Sequence, residues 1–343
     1  MKIYGITIQP LSPFGTPLKG DTLFGHFCWQ VAEAPDLLTG GLDKWIDCYD
    51  SDPFALFSSA WPVLRRDNST LYAIARPSGL LPDDETKLER RAKIQRYKLA
   101  QKQKWLLIDR DLRINVDANN LQSDTDLFSM FLENLEPVAA KPLRLLAKEQ
   151  QKLCIPVTQA HNSINRLTMT TGSGEFAPFS HDNFQFVPGL QLIIFVAVNE
   201  EAMDAESLQT GFERIGSWGY GRDASTGLGR FSVVSVEEQS WPQADNDTTA
   251  CYTLGPSVPQ KETFVQCNAT PFTRFGRHGS TLASSANPFK KPVVMADEGA
   301  VLYPAQSAQR EIFAKSYIGT AVRDVSAAHP RTVVQGYSLY LPC

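Results

Sequence analysis

Two amphipathic helical segments, each bracketed by strand-like segments, restrict what this 343-residue chain can fold into. Ile3 to Gln9 alternates as a half-buried strand does, and the run from Pro10 to Pro17 turns the chain into a helix from about Asp21. Asp21 is placed to cap that helix, while Leu23, Phe24, Phe27, Cys28 and Val31 recur on one apolar arc. His26 falls off the arc and is predicted to point away from the core. Further along, Leu71 to Ala75 and Pro188 to Val198 read as strands, Ala205 to Ile215 as a helix with Leu208, Phe212 and Ile215 on one side, and Phe231 to Val236 as a last strand. The order is βαββαβ. It predicts an α+β fold of the ferredoxin-like kind, an antiparallel sheet backed by two helices, which RNA-recognition (RRM-like) modules also use.

Residues 35–190 read as a long, irregular insertion in this first unit, with a basic helix from about Glu85 to Trp105 that is either a solvated face or a nucleic-acid contact. The polar stretch Gln239 to Thr249 marks a boundary, so the expected division is a first ferredoxin-like domain over 1–240 and a second over 241–343. In the second, Glu262 to Thr270, Pro292 to Tyr303 and Thr332 to Leu341 are predicted strands, in a degenerate copy of the first.

The longest apolar run, around Leu190 to Val198, is too short to span a bilayer, and Met1 to Tyr4 enters a strand pattern with no secretory core, so a cytoplasmic location is expected. Cys28, Cys48, Cys154, Cys251, Cys267 and Cys343 show no paired spacing; they predict buried thiols, with neither disulfides nor a structural metal. No cofactor motif is present.

A net charge of −4 argues against wholesale non-specific nucleic-acid binding. Yet residues 1–20, the interval between Glu149 and Glu175, and that between Glu262 and Asp297 contain no acid, while 36–52, 109–136 and 200–248 are acid-rich. The acid-free stretches carry Lys2, Lys19, Lys152, His161, Arg166, Arg274, Arg277, His278, Lys290 and Lys291, which predicts a basic groove on an acidic body.

Between the second helix and its strand, at 216–230, lies a loop with glycines at 219, 221, 227 and 229 and arginines at 222 and 230. Such a loop either cradles phosphate, glycine letting backbone N–H groups meet an anion and arginine matching its geometry, or builds an ordinary turn. It lacks the Gly-Lys-Ser/Thr of a P-loop and follows a helix instead of opening one, so neither nucleotide fingerprint applies.

Four blocks, in order, resemble the RAMP proteins of CRISPR–Cas systems, and among them the handle-capping subunit of the type III-A (Csm) interference complex. They are Ser12 to His26 (Ser-Pro-Phe-Gly-Thr-Pro-Leu-Lys-Gly-Asp-Thr-Leu-Phe-Gly-His), His161 to Arg166, the glycine-rich loop, and Gln335-Gly336-Tyr337. The resemblance implies two ferredoxin-like domains and a non-catalytic subunit. Such a subunit holds the 5′ repeat-derived handle of the crRNA, contacts the large signalling subunit and starts the filament of backbone RAMP subunits. It also implies that Gly219, Gly221, Gly227 and Gly229 lie against the handle with Arg222 and Arg230 as phosphate ligands, and that Asn162 to Arg166 stands at the base of a projecting hairpin that wedges between nucleotides.

Platforms for splayed single-stranded RNA combine cations, short polar side chains and stacking surfaces. Asn162, Asn165 and Arg166 have suitable donors, Thr226, Lys19 and His26 lie in the same blocks, and Tyr220 is the expected stacking ring, Phe231, Phe272 and Phe275 being either stacking or core. Arg274 and Arg277 sit in a cation–aromatic stretch that either extends the RNA surface or forms a plain turn. The competing expectation is a metal-independent crRNA-processing endoribonuclease with His26 as general acid/base, aided by Lys19 or Arg230. Two-metal chemistry has no visible ligand set, since Asp21 stands alone and reads as a helix cap.

Overall fold

The computed structural model describes residues 1–67, 69–79, 98, 100–116, 120–146, 151–172 and 174–343. The strands are β1 (Lys2–Pro10), β2 (Ala55–Arg66), β3 (Ser69–Ala75), β4 (Gln103–Ile108), β5 (Leu121–Ser123), β6 (Cys154–His161), β7 (Phe179–Phe186), β8 (Gln191–Val198) and β9 (Phe231–Glu238), followed by β10 (Cys251–Thr253), β11 (Phe264–Asn268), β12 (Pro271–Arg274), β13 (Val293–Ala296), β14 (Val301–Pro304), β15 (Tyr317–Gly319) and β16 (Tyr337–Pro342). The helices are α1 (Gly20–Glu33), α2 (Gly41–Asp47), α3 (Asp124–Glu133), α4 (Pro137–Leu146), α5 (Ala205–Trp218) and α6 (Gln309–Phe313).

Among the described residues, the first sheet runs β5-β4-β3-β2-β8-β1-β9. Its last four, β2-β8-β1-β9, pair antiparallel throughout. With α1 between β1 and β2, and α5 between β8 and β9, this is the ferredoxin-like order expected from the sequence. Helix α1 packs on β2, α5 on β9, and the two helices touch, so both cover one face. Leu23, Phe24, Phe27 and Val31 are buried there against Phe57 and Phe212. The apolar arc therefore formed as its 3.6-residue spacing requires.

One strand of that core was not legible. Ala55–Arg66, inside the stretch expected to be irregular, is the inner strand β2, and Leu71–Ala75 is instead part of β3, which widens the sheet. β2 is buried on both faces over most of its length, so it lacks the alternation that marks a half-buried strand. Of the expected basic helix over 85–105, residues 85–97 and 99 lie outside the described residues. Trp105 belongs to β4, whose Leu106, Leu107 and Ile108 are buried against β3.

The second sheet runs β11-β14-β10-β16-β15. Its β11, β14, β10 and β16 repeat the relative order of β2, β8, β1 and β9, with no α-helix in the first crossover. Pro292 to Tyr303, expected as one strand, is two that run in the same direction, interrupted between Asp297 and Ala300 with Gly299 at φ 82°. Thr332 to Leu341 becomes a strand only from Tyr337.

Tyr337, Leu339 and Leu341 of β16 join the core of the first sheet. Gln335 seals the same junction: its buried amide donates to the Phe57 carbonyl (2.8 Å) and accepts from the Phe57 N–H (2.9 Å), pairing with β2 where the register shifts. All six cysteines are free, but of these only Cys251 is buried; Cys267 is exposed and the rest are half-buried, because they lie at sheet edges and helix flanks.

Candidate nucleic-acid interface

The glycine-rich loop leaves α5 at Gly219 (φ 98°) and passes Gly221 (77°), Gly227 (99°) and Gly229 (70°), all in the left-handed region that favours glycine. A side chain at Gly229 would collide with the Tyr220 backbone, whereas at Gly227 it would meet nothing. The glycine N–H groups do not face outward. They donate to Ile215 O, His26 Nε2, Ala224 O and Pro13 O respectively, at 2.8 to 3.0 Å. The loop is thus a self-closed turn, and its glycines provide conformation rather than an anion cradle.

Tyr220 is fully buried, its hydroxyl donating to Pro17 O at 2.7 Å. This corrects the expectation that it stacks on a base: its ring instead packs against His26 and Phe14 beneath the loop. His26 likewise turns toward the loop and not into solvent. Nε2 accepts from Gly221 N–H (3.0 Å), and burial, with Lys290 nearby, pushes the imidazole down to about 4.

Several expected RNA ligands are already committed to carboxylates. Lys19 pairs with Asp297 and with Glu298 (2.8 Å), and burial beside Asp297 raises the Glu298 carboxyl toward about 7. Arg274 grips Asp21 with two hydrogen bonds of 2.6 and 2.9 Å. Asp21 is therefore no cap: Lys19 occupies the N-cap position with no side-chain bond, and the carboxylate ties α1 to the two-stranded β12–β13 ribbon. Lys2 pairs with Glu200, and His278 is buried on Ser326. The basic groove expected from acid-free stretches is reduced accordingly, because acids distant in sequence fold onto those cations.

What remains open surrounds a projecting hairpin. β6 and β7 pair from Cys154↔Phe186 to His161↔Phe179, and their connection carries exposed Ile164, Leu167 and Met169. Asn165 shapes that tip, its side chain accepting from Leu167 N–H and its backbone pairing with Thr170. Asn162 and Arg166 are exposed there, and neither their side chains nor that of half-buried Arg230 has a hydrogen-bond or ion-pair partner among the described residues. A two-stranded hairpin is marginal alone. This one is anchored by the Phe14↔Phe184 bridge and its aromatic cluster, and by two clamps from the glycine-rich loop. Arg222 donates to Asp182 O (2.6 Å) and Asn183 Oδ1 (3.0 Å); Asp223 meets His181 Nδ1 (3.1 Å). Thr226 donates its hydroxyl to Asp223 O.

His181, Phe179 and His161 form an aromatic group on the hairpin face beside this junction. β7 was not expected from the sequence, where the recurrence of Phe179, His181 and Asn183, and of Phe184 and Phe186, at every second position is its local signal. In the second half, Arg277 lies 5.5 Å over the exposed Phe289 ring, Phe275 is exposed, Phe272 is half-buried under Lys19 and Arg274, and Phe231 is core. Among the described residues no group of three or more His, Cys, Asp or Glu is arranged to hold a metal, and no helix is long and apolar enough to cross a membrane.

No protein-family model matches the sequence, and no curated protein does. Solved structures do match over the whole chain. A chain of a Csm1–Csm4 cassette crystallised with cA4 aligns with TM-score 0.54 and 13% identity, covering 100% of this chain and 97% of that one. A chain of the cassette with pppApA gives 0.51 and 14%, with the same coverage. A chain of the Csm3–Csm4 subcomplex of the type III-A CRISPR–Cas interference complex gives 0.51 and 13%, covering 100% and 99%. The structural neighbours thus lie in the assemblies that the sequence blocks resemble, and this chain has the fold of a Csm-complex subunit over its full length.

Proposed function

We propose that the chain is a non-catalytic, RNA-binding subunit of a type III CRISPR–Cas effector complex, acting in the cytoplasm in antiviral defence. It holds the 5′ repeat-derived handle of the crRNA and joins the large signalling subunit to the backbone RAMP filament. The observation that carries this is the full-length fold shared with chains of Csm1–Csm4 and Csm3–Csm4 assemblies. The site supports it locally: a stapled hairpin with an exposed apolar tip stands beside a rigid loop from which Arg230, and in part Arg222, remain available to phosphate.

Against the endoribonuclease alternative, the His26 Nε2 is occupied by Gly221 and the ring resists protonation, so it is poorly set to shuttle a proton near neutral pH. The test is binding and cleavage of a labelled repeat-derived RNA, alone and with partner subunits. Intact RNA retained by the wild type and by His26→Ala, but released by Arg222→Ala/Arg230→Ala, is the expected result; His26-dependent cleavage would overturn it.

A further inference from the structure

The β12–β13 ribbon has two unlike faces. Register pairs Thr273↔Val294 and Arg274↔Val293 continue into the bridge Arg277↔Phe289, and the two-residue period sorts the side chains. Phe272, Arg274, His278, Val293 and Met295 turn toward the body. Thr273, Phe275, Arg277, Phe289, Lys291 and Val294 are exposed, Phe275 at 76% and Phe289 at 63%. Large rings left in water forgo the stabilisation of burial, and a cluster of them marks a contact surface. This one is also cationic: among the described residues neither Arg277 nor Lys291 has an ion-pair partner, Arg277 donating only to Ala283 O at 3.4 Å. No acid occurs between Glu262 and Asp297, Asp297 itself is turned to Lys19, and Asp21 serves the inward Arg274. Exposed rings interleaved with cations that no described carboxylate pairs suit a polyanion with flat apolar faces, which is single-stranded nucleic acid.

Position adds to chemistry. The ribbon lies against α1 through Arg274–Asp21 and through Gly279, which sits beside the Trp29 indole; the glycine-rich loop docks on the same helix through His26. We infer that the outward ribbon face is a second RNA surface, on which Phe275 and Phe289 stack unpaired bases and Arg277 and Lys291 meet phosphates of RNA extending from the loop. This rests on the RNA-binding function proposed above.

The experiment uses the full chain and a repeat-derived handle RNA extended by single-stranded nucleotides carrying 2-aminopurine. Phe275→Ala/Phe289→Ala should weaken binding at least about fivefold and abolish quenching of the 2-aminopurine, and Phe275→Trp/Phe289→Trp should restore both. Circular dichroism checks folding, and Arg277→Glu/Lys291→Glu, which leaves the rings in place, should also weaken binding. Unchanged affinity and quenching in the alanine variant, with binding lost in Arg222→Ala/Arg230→Ala, would overturn the ribbon and leave handle binding standing; the reverse pattern would do the opposite. Unchanged RNA binding together with lost affinity for polyglutamate would assign the face to an acidic protein and overturn the proposal. A wild-type chain that binds no RNA would overturn both.

Discussion

His26 shows how one contact changes what a residue can do. Its ring is neutral in the fold because Gly221 donates to Nε2 and burial disfavours the imidazolium, while the unfolded chain titrates near the ordinary value. Between about 6.5 and about 4 the unfolded state therefore binds a proton that the folded state does not, and stability falls as pH drops through that window. His26→Gln keeps an acceptor without titrating, so the pH slope from urea unfolding should be shallower than in the wild type. The glycines make a sharper contrast. Gly227→Ala meets only the strain of a left-handed backbone, about 1–2 kcal/mol, whereas Gly229→Ala adds a clash with Tyr220 and should cost clearly more in the same assay. That these glycines matter was readable from the sequence. Their purpose was not, because a positive φ serves an anion cradle and a closed turn equally well.

At the scale of elements, the hairpin is held by what lies outside it. Its two strands bury little of their own surface, and Arg222, the His181–Asp223 contact and the Phe14 bridge supply the attachment. Arg222→Ala should raise hydrogen exchange across Cys154–His161 and Phe179–Phe186 while lowering global stability by only about 1–2 kcal/mol, since two partly exposed bonds are lost. Equal protection in variant and wild type would show that the aromatic anchor suffices. Helices α1 and α5 were legible because their apolar residues recur at helical spacing. β2 was not, since a strand covered on both faces shows no period, and β7 was not, since its burial does not alternate along the strand.

Across the whole molecule, the charge clusters at Lys19 and Arg274, with Arg323–Asp50 and Arg331–Asp47 at the surface, tie the first half to the second. Arg274→Ala leaves the Asp21 carboxylate buried and alone and should cost about 3–5 kcal/mol by denaturant unfolding, with Asp21→Asn/Arg274→Met recovering part of the loss. Glu298 behaves oppositely to His26. Its raised value means that the folded state keeps a proton that the unfolded state loses between the ordinary carboxylate range and about 7, so stability falls as pH rises through that window. Glu298→Gln should flatten that limb of the profile. With Leu339 and Leu341 in the core of the first sheet and Gln335 paired to Phe57, both halves are expected to unfold in one transition, seen as coincident loss of far-ultraviolet and tryptophan signals.

The sequence by itself determined three of the four strands of the first half's ferredoxin-like order, both of its amphipathic helices and the turn at 219–229, because these rest on local spacing and backbone preference. Only the tertiary structure decided which cations remain free. Lys19 and Arg274 meet carboxylates 278 and 253 residues away, Tyr220 is covered by Phe14 and Pro17, and the ribbon turns Phe275 and Phe289 outward. A charge or a ring acquires its role from whatever the fold sets against it, and no local pattern in the chain encodes a partner so far away.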